Sequence, residues 1–395
     1  MKIAIICPYS FPFGMAASNR IAAYTEGLKD NGAQVDVLII RPTDYYTDKQ
    51  SPNIGCYHGV KYNYLCGKYA NKYHIIRILY FLSGARLFEG IYRTYRHLKL
   101  HKYDVIIISY DDPIFLFLYS QLAKFYRIKS VFIFDEYPEP IRRKLKNKIP
   151  KYKEWLYKKI LKGIDGYISL CKELKDYFCK FVNKPSIVVP LIVNTERFKP
   201  INVERKKHIS YIGNMELSKD NVDNIIKAFS LISDKFFEYS LHFYGNPTVQ
   251  TKKLLEDLIH SLNMEHRIVL EGRIDSESVP MIIASSAMMV SSQPDTLRAK
   301  GGFPTKLGEY VVMGTPTLIC DVGENSSFLK DEVDCFFVQP NNPTEYSLKM
   351  EYILNNYEQA LSIAKQGEVK IRNCFSQTVI GKYIFNFLNG LISND

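Results

Sequence analysis

Four short stretches of the chain carry turns and side chains suited to anions and hydroxyl groups. In PFGMAAS, residues 12–18, Gly14 lets the backbone approach a ligand closely, and the helix start behind it offers free N–H groups to an anion; closing a β-α turn would call for the same glycine. DEYPEP, residues 135–140, follows the apolar run VFIF, so Asp135 and Glu136 stand at a strand end where either carboxylate can orient or deprotonate a hydroxyl, or else cap the next helix. YIGNMELSKDNVDNIIKAF, residues 211–229, reads as a strand, a glycine turn at Gly213 and Asn214, and a helix start that carries Lys219; taken alone, such a lysine is most simply a solvated residue. GGFPTKLGEYVVMGTPTL, residues 301–318, offers Gly302, Phe303, Pro304 and Thr305 as a loop feeding a helix. Lys306 lies in the same loop, and Glu309 sits among Leu307, Val311 and Val312, a setting that favours a buried task for its carboxylate.

Strands and helices must alternate to present these stretches. Strands at Lys2–Cys7 and Gln34–Ile40 flank a helix from about Ala16 to Asn31. Further strands are expected at 105–109, 130–134, 166–169 and 187–189, with helical apolar spacing at 114–126 and 152–162. A second alternation begins after a turn-rich stretch near 190–200, with strands at 208–211, 240–244, 267–271, 287–291, 317–320 and 335–338. This pattern specifies an α/β protein of parallel sheets covered on both faces, arranged as two doubly wound, Rossmann-like domains. In such sheets ligands bind beyond the carboxyl ends of the strands. The domains are expected at 1–198 and 205–375, followed by an amphipathic helix in 376–395 with Val379, Tyr383, Ile384 and Phe387 on its apolar face.

A length of 395 residues exceeds what one hydrophobic core supports, which agrees with two domains. Apolar residues at 46% and charged residues at 24% exclude disorder and a small disulfide scaffold. The eight cysteines form no CxxC pair, so neither a zinc site nor a disulfide framework is suggested, and a reducing cytoplasm is expected. No uncharged run reaches the roughly 18 residues of a spanning helix. The net charge of +11 is uneven: residues 1–200 carry +16 and the remainder −5. One half therefore suits an anionic partner and the other does not.

PLIVNTERFKP, residues 190–200, resembles the interdomain signature of retaining glycosyltransferases of family 4, in which a strand ending in Pro leads into an Asn-Thr-x-x-Phe-x-Pro crossover. The resemblance runs over essentially the whole chain. It implies the glycosyltransferase-B fold, with two Rossmann-like domains facing a central cleft and a C-terminal helix that packs back on the first. It further implies a hexosyltransferase-type enzyme (EC 2.4) that moves a sugar from a nucleotide-sugar donor, UDP- or GDP-linked, to a glycan or lipid-linked glycan acceptor in cell-surface polysaccharide synthesis. The donor would bind the second domain and the acceptor the first. Attack would come from the leaving-group side, the donor phosphate helping to take the proton. The nucleotide sugar is a co-substrate, and no cofactor or metal is implied, so Asp111 and Asp112 are not read as metal ligands.

Residue by residue, the resemblance implies that Gly213 and Lys219 contact the donor diphosphate, with Asn214 where the family has an arginine. The backbone of Arg273 and Ile274, in GRI at 272–274, would meet the base. Glu309 would hold the ribose hydroxyls, while Gly301 occupies the place of the family's first glutamate. Phe303, Pro304, Thr305 and Lys306 would line the donor, and Gly14, Lys219 and Lys306 would stabilise the departing diphosphate. The family's histidine in the first domain has no counterpart in 135–140, which leaves Asp135 and Glu136 as the acceptor-side candidates. Asn214 and Gly301 also allow a catalytically silent nucleotide-sugar-binding or scaffold protein, and the fold is shared by nucleotide-sugar epimerases.

The run 142–162 holds ten Lys or Arg interleaved with Tyr152, Trp155, Leu156, Tyr157, Ile160 and Leu161. Lysines around aromatic residues suit an anionic lipid surface, so a cytoplasmic protein peripheral to the inner membrane face is expected. No nucleic-acid-binding module accompanies the run, and no nucleic acid partner is expected.

Overall fold

The structure is a computed structural model that describes residues 1–14, 16–45, 52–110, 112–142, 148–302 and 305–393. The chain divides into two compact units, Met1–Ile192 with Gln377–Asp395, and Val193–Ser376.

The first unit is built on an eight-stranded sheet: β1 (Lys2–Cys7), β2 (Gln34–Ile39), β3 (Ile54–Tyr57), β4 (Val60–Tyr64), β5 (Val105–Ile108), β6 (Lys129–Phe134), β7 (Gly166–Ser169) and β8 (Ser186–Val188). Their order is β8-β7-β6-β5-β1-β2-β4-β3. All neighbours are parallel except β3, which pairs antiparallel with β4 at the edge. Continuous apolar runs such as the fully buried VIII of β5 follow from coverage on both faces. The β3–β4 hairpin turns on His58 and Gly59, both at positive φ, which matches the twist of paired strands. Sequence reading passes over this hairpin and over two helices, His74–Leu82 and Ala85–Leu100.

The second unit holds six parallel strands: β9 (Lys206–Ile212), β10 (Ser240–Tyr244), β11 (Ile268–Gly272), β12 (Ser286–Ser291), β13 (Thr317–Cys320) and β14 (Phe336–Val338). They are ordered β11-β10-β9-β12-β13-β14. Phe229, Phe243, Met288, Phe336 and Tyr346 fill the core around this sheet. Both units are thus doubly wound α/β folds of the Rossmann-like kind.

Three expectations need correction. Residues 193–198 belong to the second unit, not the first: the Val193 N–H donates to the Phe375 carbonyl at 2.9 Å, and the Arg372 guanidinium donates to the carbonyl of the buried Phe198 at 2.8 Å. The C-terminal helix Gln377–Ser393 packs on the helix Ala16–Asp30 and buries the expected Ile384 together with Ile380, Leu388 and Leu391, while Val379 and Tyr383, expected on the apolar face, are exposed. Gly27 and Gly381 set that rotation, because a Cβ on either would overlap the other helix's backbone. Finally, the helix Lys151–Gly163 in the basic run buries Tyr157, Ile160 and Leu161 in the core of its own unit, so they are closed to any lipid; Trp155 is exposed beneath Lys159, whose Nζ lies 4.9 Å from the ring centroid. Arg143, Lys144 and Lys146 of that run lie outside the described residues.

Candidate active site

In the second unit the carboxyl ends of β9, β10 and β11 each finish at a glycine. The Gly213 N–H donates to the Tyr244 carbonyl and the Gly245 N–H to the Gly272 carbonyl, both at 2.8 Å, so the three strand ends are stitched side by side. A Cβ on Gly245 would overlap the Gly213 carbonyl, and one on Gly213 would meet the Tyr211 hydroxyl and the Lys306 ammonium. Backbone therefore comes closer here than any side chain would allow. Beyond Gly213 the chain turns through Asn214, which is exposed, and the fully buried Met215 at positive φ, into the short helix Leu217–Asp220.

Lys306 closes this turn from the helix Thr305–Val311. Its Nζ donates to Asp220 Oδ1 at 2.8 Å and to the Tyr211 hydroxyl at 2.9 Å, above the Tyr211 ring. Burial alone would raise the Asp220 pKa and lower that of Lys306; the attraction between them wins, holding the carboxyl below its usual range and the ammonium above its own. An ammonium has three N–H donors, and these contacts engage two. Tyr310 fixes the helix, its hydroxyl accepting from the Ile212 N–H at 2.9 Å and donating to the Ile212 carbonyl at 3.1 Å.

Sequence reading missed two further cations. Arg298 donates through NH1 to Glu216 Oε1 at 2.7 Å, on the turn that also carries Lys219, and its buried Nε has no partner among the described residues. Arg298 thus brings a positive charge to the Glu216–Asp220 turn from a different segment. Arg197, within PLIVNTERFKP, reaches Glu309 Oε1 at 3.4 Å and donates from NH2 to the Ser276 carbonyl and hydroxyl at 2.9 and 3.0 Å. Glu309 is about one-fifth exposed and faces a cation, which separates it from a solvated helix residue. Lys219 is exposed, and its charge helps keep Glu216 and Asp220 ionised. Arg273 is exposed and Ile274 half-buried just after Gly272, whose φ is +79°. Thr305 begins its helix, and buried Gly301 caps the helix Leu297–Lys300. Phe303 and Pro304 lie outside the described residues.

The first unit has its own polar group. Arg20, on the helix Ala16–Asp30, pairs through NH1 with Asp135 Oδ1 at 2.8 Å, both largely buried. Burial opposes the Arg20 charge, but Asp135 and Glu136 outweigh it and keep the guanidinium protonated. Asp135 thus anchors an ion pair to a neighbouring helix. Gly14 is packed against the Ser10 and Ser18 hydroxyls with no room for a Cβ. Asp112 caps the helix Pro113–Phe125, accepting from the N–H groups of Ile114 and Phe115 at 2.9 and 3.3 Å, and Asp111 lies outside the described residues. Among the described residues no three His, Cys, Asp or Glu side chains converge as a metal site would require.

The family Glycosyl transferases group 1 matches residues 193–370, and Glycosyltransferase Family 4 matches residues 17–197. The glycosyltransferase MJ1607 of Methanocaldococcus jannaschii is 23% identical over 207 residues, 48% of this chain and 51% of that protein, so the match spans about half the length of that relative. Among solved structures, a sucrose-phosphate synthase from Thermosynechococcus elongatus superposes with a TM-score of 0.79 at 16% identity, covering 100% of both chains. HepE of Anabaena, solved in complex with UDP, gives 0.71 at 12% identity over 99% of this chain and 100% of that one. A glycosyltransferase from Rickettsia africae gives 0.71 at 15% identity over 100% and 99%. Those likenesses establish the glycosyltransferase-B fold. Two family matches that between them run from residue 17 to residue 370, on that fold, place the chain in the group 1, family 4 glycosyltransferases, a family of hexosyltransferase-type enzymes.

Proposed function

We propose that the protein is a retaining glycosyltransferase that carries a hexosyl group from a UDP- or GDP-sugar to a glycan or lipid-linked glycan, in cell-surface polysaccharide synthesis at the inner face of the membrane. The observation that carries the donor half is the Gly213–Asp220–Lys306 cradle, where close backbone, a strand-end turn and a buried ammonium with one N–H left over converge. HepE, of the same fold, was crystallised with UDP and with UDP-glucose, which favours a nucleotide diphosphate here too.

In this reading the diphosphate lies on the Gly213–Asn214 backbone, flanked by Lys219, Lys306 and Arg298. Arg298 supplies the cation that Asn214 lacks, and its Nε is the donor still without a partner. That replacement argues against a silent binding protein. Glu309 accepts the ribose hydroxyls, oriented by Arg197, and the backbone of Arg273 and Ile274 meets the base. Thr305 lines the donor at the helix start. The bond from the anomeric carbon to the phosphate oxygen breaks while the acceptor oxygen bonds to the same face, and the acceptor proton passes to the departing diphosphate. Charge grows on that diphosphate as the bond breaks, so the fixed cations act most strongly in the transition state. On the first unit, the backbone at Gly14 offers its N–H groups to an anion, and Glu136 orients the acceptor hydroxyl while Asp135 holds Arg20 beside it. No metal takes part.

Titration calorimetry with UDP, GDP and their hexose derivatives, followed by NMR of the product's anomeric proton, tests the proposal. Binding of one nucleotide series and an axial or equatorial configuration kept from donor to product is expected. Binding of neither series, or inversion at the anomeric carbon, would overturn it.

A further inference from the structure

The helix His74–Leu82 is inside out. Ile75, Ile78, Leu79 and Leu82 recur at i, i+3, i+4 and i+7, the spacing by which a helix normally meets a core, yet they are 72, 43, 60 and 73% exposed. Among the described side chains of this helix, Arg77 and Tyr80 are the half-buried ones, and the Tyr80 hydroxyl donates to Glu89. The following helix, Ala85–Leu100, extends the apolar surface with Phe88 and Tyr92, 72 and 59% exposed and one turn apart. Isolated exposed apolar residues need no explanation, but six on two consecutive helices form a patch that water covers poorly.

The charge around the patch says what covers it. Residues 68–100 contain seven Lys or Arg and a single acid, Glu89. That acid is engaged by Tyr80 and by Arg93, whose Nε lies 2.7 Å from Glu89 Oε1. The excess of six positive charges in this segment, with Lys72, Arg96 and Lys99 exposed, complements a bilayer with anionic headgroups, in which the apolar stripe enters the acyl boundary while the cations stay among the phosphates. The helix is nine residues long, about 14 Å, which suits lying in the interface and not crossing it; among the described residues no helix is long and apolar enough to span.

We infer that the protein docks on an anionic bilayer through the outward stripe of His74–Leu82, extended by Phe88 and Tyr92, and not through the basic helix Lys151–Gly163, whose apolar face is already buried. The inference rests on the membrane setting proposed above and assigns the surface that touches it.

The experiment is sedimentation with vesicles of phosphatidylcholine alone or with phosphatidylglycerol. The wild type is expected to pellet with the anionic vesicles. Ile75→Ser/Leu79→Ser/Leu82→Ser should weaken partitioning by about tenfold or more for each side chain removed from the acyl boundary. Because these side chains are solvent-exposed in the free protein, its thermal melt should be unchanged. Replacing Lys151, Lys153, Lys158 and Lys159 by Gln should weaken it far less. The inference falls if the wild type stays in the supernatant, if the serine variant pellets like the wild type, or if the lysine variant alone is released. It also falls if sedimentation velocity shows a wild-type dimer that the serine variant loses while neither binds vesicles, since the patch would then cover a second copy. Nucleotide-sugar calorimetry on the same preparations reads the donor proposal independently: vesicle binding without nucleotide binding sinks that proposal and leaves the docking surface standing.

Discussion

Replacing Lys306 by Met separates the two tasks that its ammonium is placed to perform. In the free protein it is the counter-ion of Asp220, at 2.8 Å, with both side chains mostly buried. Removing one member of a buried pair costs roughly 3–5 kcal/mol. The Glu216 N–H still donates to Asp220 Oδ2 at 3.2 Å, so the lower end applies. At about 2–4 °C per kcal/mol for a unit of this size, Lys306→Met should lower the melting temperature by roughly 6–12 °C. The deficit depends on pH with a fixed sign. The Asp220 pKa is depressed in the fold, so the pair stabilises fully above the ordinary carboxylate range and fades as pH falls through the folded value; wild type and variant should converge in acid. Asp220→Asn/Lys306→Met removes the stranded charge and should recover most of the stability. The double variant should not recover donor affinity, because the third N–H of Lys306 is gone. A charged hydrogen bond is worth about 1.5–3 kcal/mol, or roughly 10- to 150-fold in the dissociation constant by calorimetry. If the double variant regains both stability and affinity, Lys306 serves only Asp220 and its place in the donor site is refuted.

Glu309→Ala should weaken nucleotide-sugar binding by about 1.5–3 kcal/mol for each ribose hydrogen bond lost, with little change in stability because Arg197 keeps its Ser276 partners; unchanged affinity in calorimetry would remove Glu309 from the site. Lys219→Ala should lower turnover more than donor affinity, whereas equal losses in both would mean uniform binding. Arg298→Ala should weaken the diphosphate-bearing ligand about tenfold or more while leaving binding of the bare nucleoside alone, which competition with uridine or guanosine can read. Glu136→Gln should reduce turnover by about 10²-fold with donor affinity intact. Asp135→Asn should instead destabilise the first unit by roughly 3–5 kcal/mol by stranding Arg20, and the reverse pattern would exchange the two roles.

Where the sequence speaks through local period, it reads well. Gly166–Ser169, Ser240–Tyr244 and Thr317–Cys320 are found at the expected residues, since each is an apolar run bounded by turn or polar residues and buried by its neighbours. The β3–β4 hairpin escapes because IGCY on an edge strand has no run to detect. The stripe of His74–Leu82 is periodic, but periodicity tells which residues share a face and not whether that face meets core or solvent. The site divides in the same way. Gly213, Lys219, Lys306 and Glu309 stand in local motifs. Their partners do not: Asp220 is 86 residues from Lys306, Glu216 is 82 from Arg298, and Asp135 is 115 from Arg20. Ion pairs of that separation are created by strand order, and no window of sequence contains both members.

The return of the C-terminal helix to Ala16–Asp30 orders the events of synthesis. The Asn31 side chain donates to the Thr378 carbonyl, 347 residues further along. At about 5–20 residues per second, a ribosome needs roughly 20–70 s to make that interval. Throughout it, the face of Ala16–Asp30 around Gly27 lacks the helix that covers it in the folded unit, whereas the second unit, Val193–Ser376, is contiguous and is made in full before that helix is. The later-made half of the nascent chain can therefore finish folding before the earlier-made half, and the exposed groove beside Gly27 is a place where a chaperone, or the same helix from a neighbouring chain on the polysome, competes for the seat.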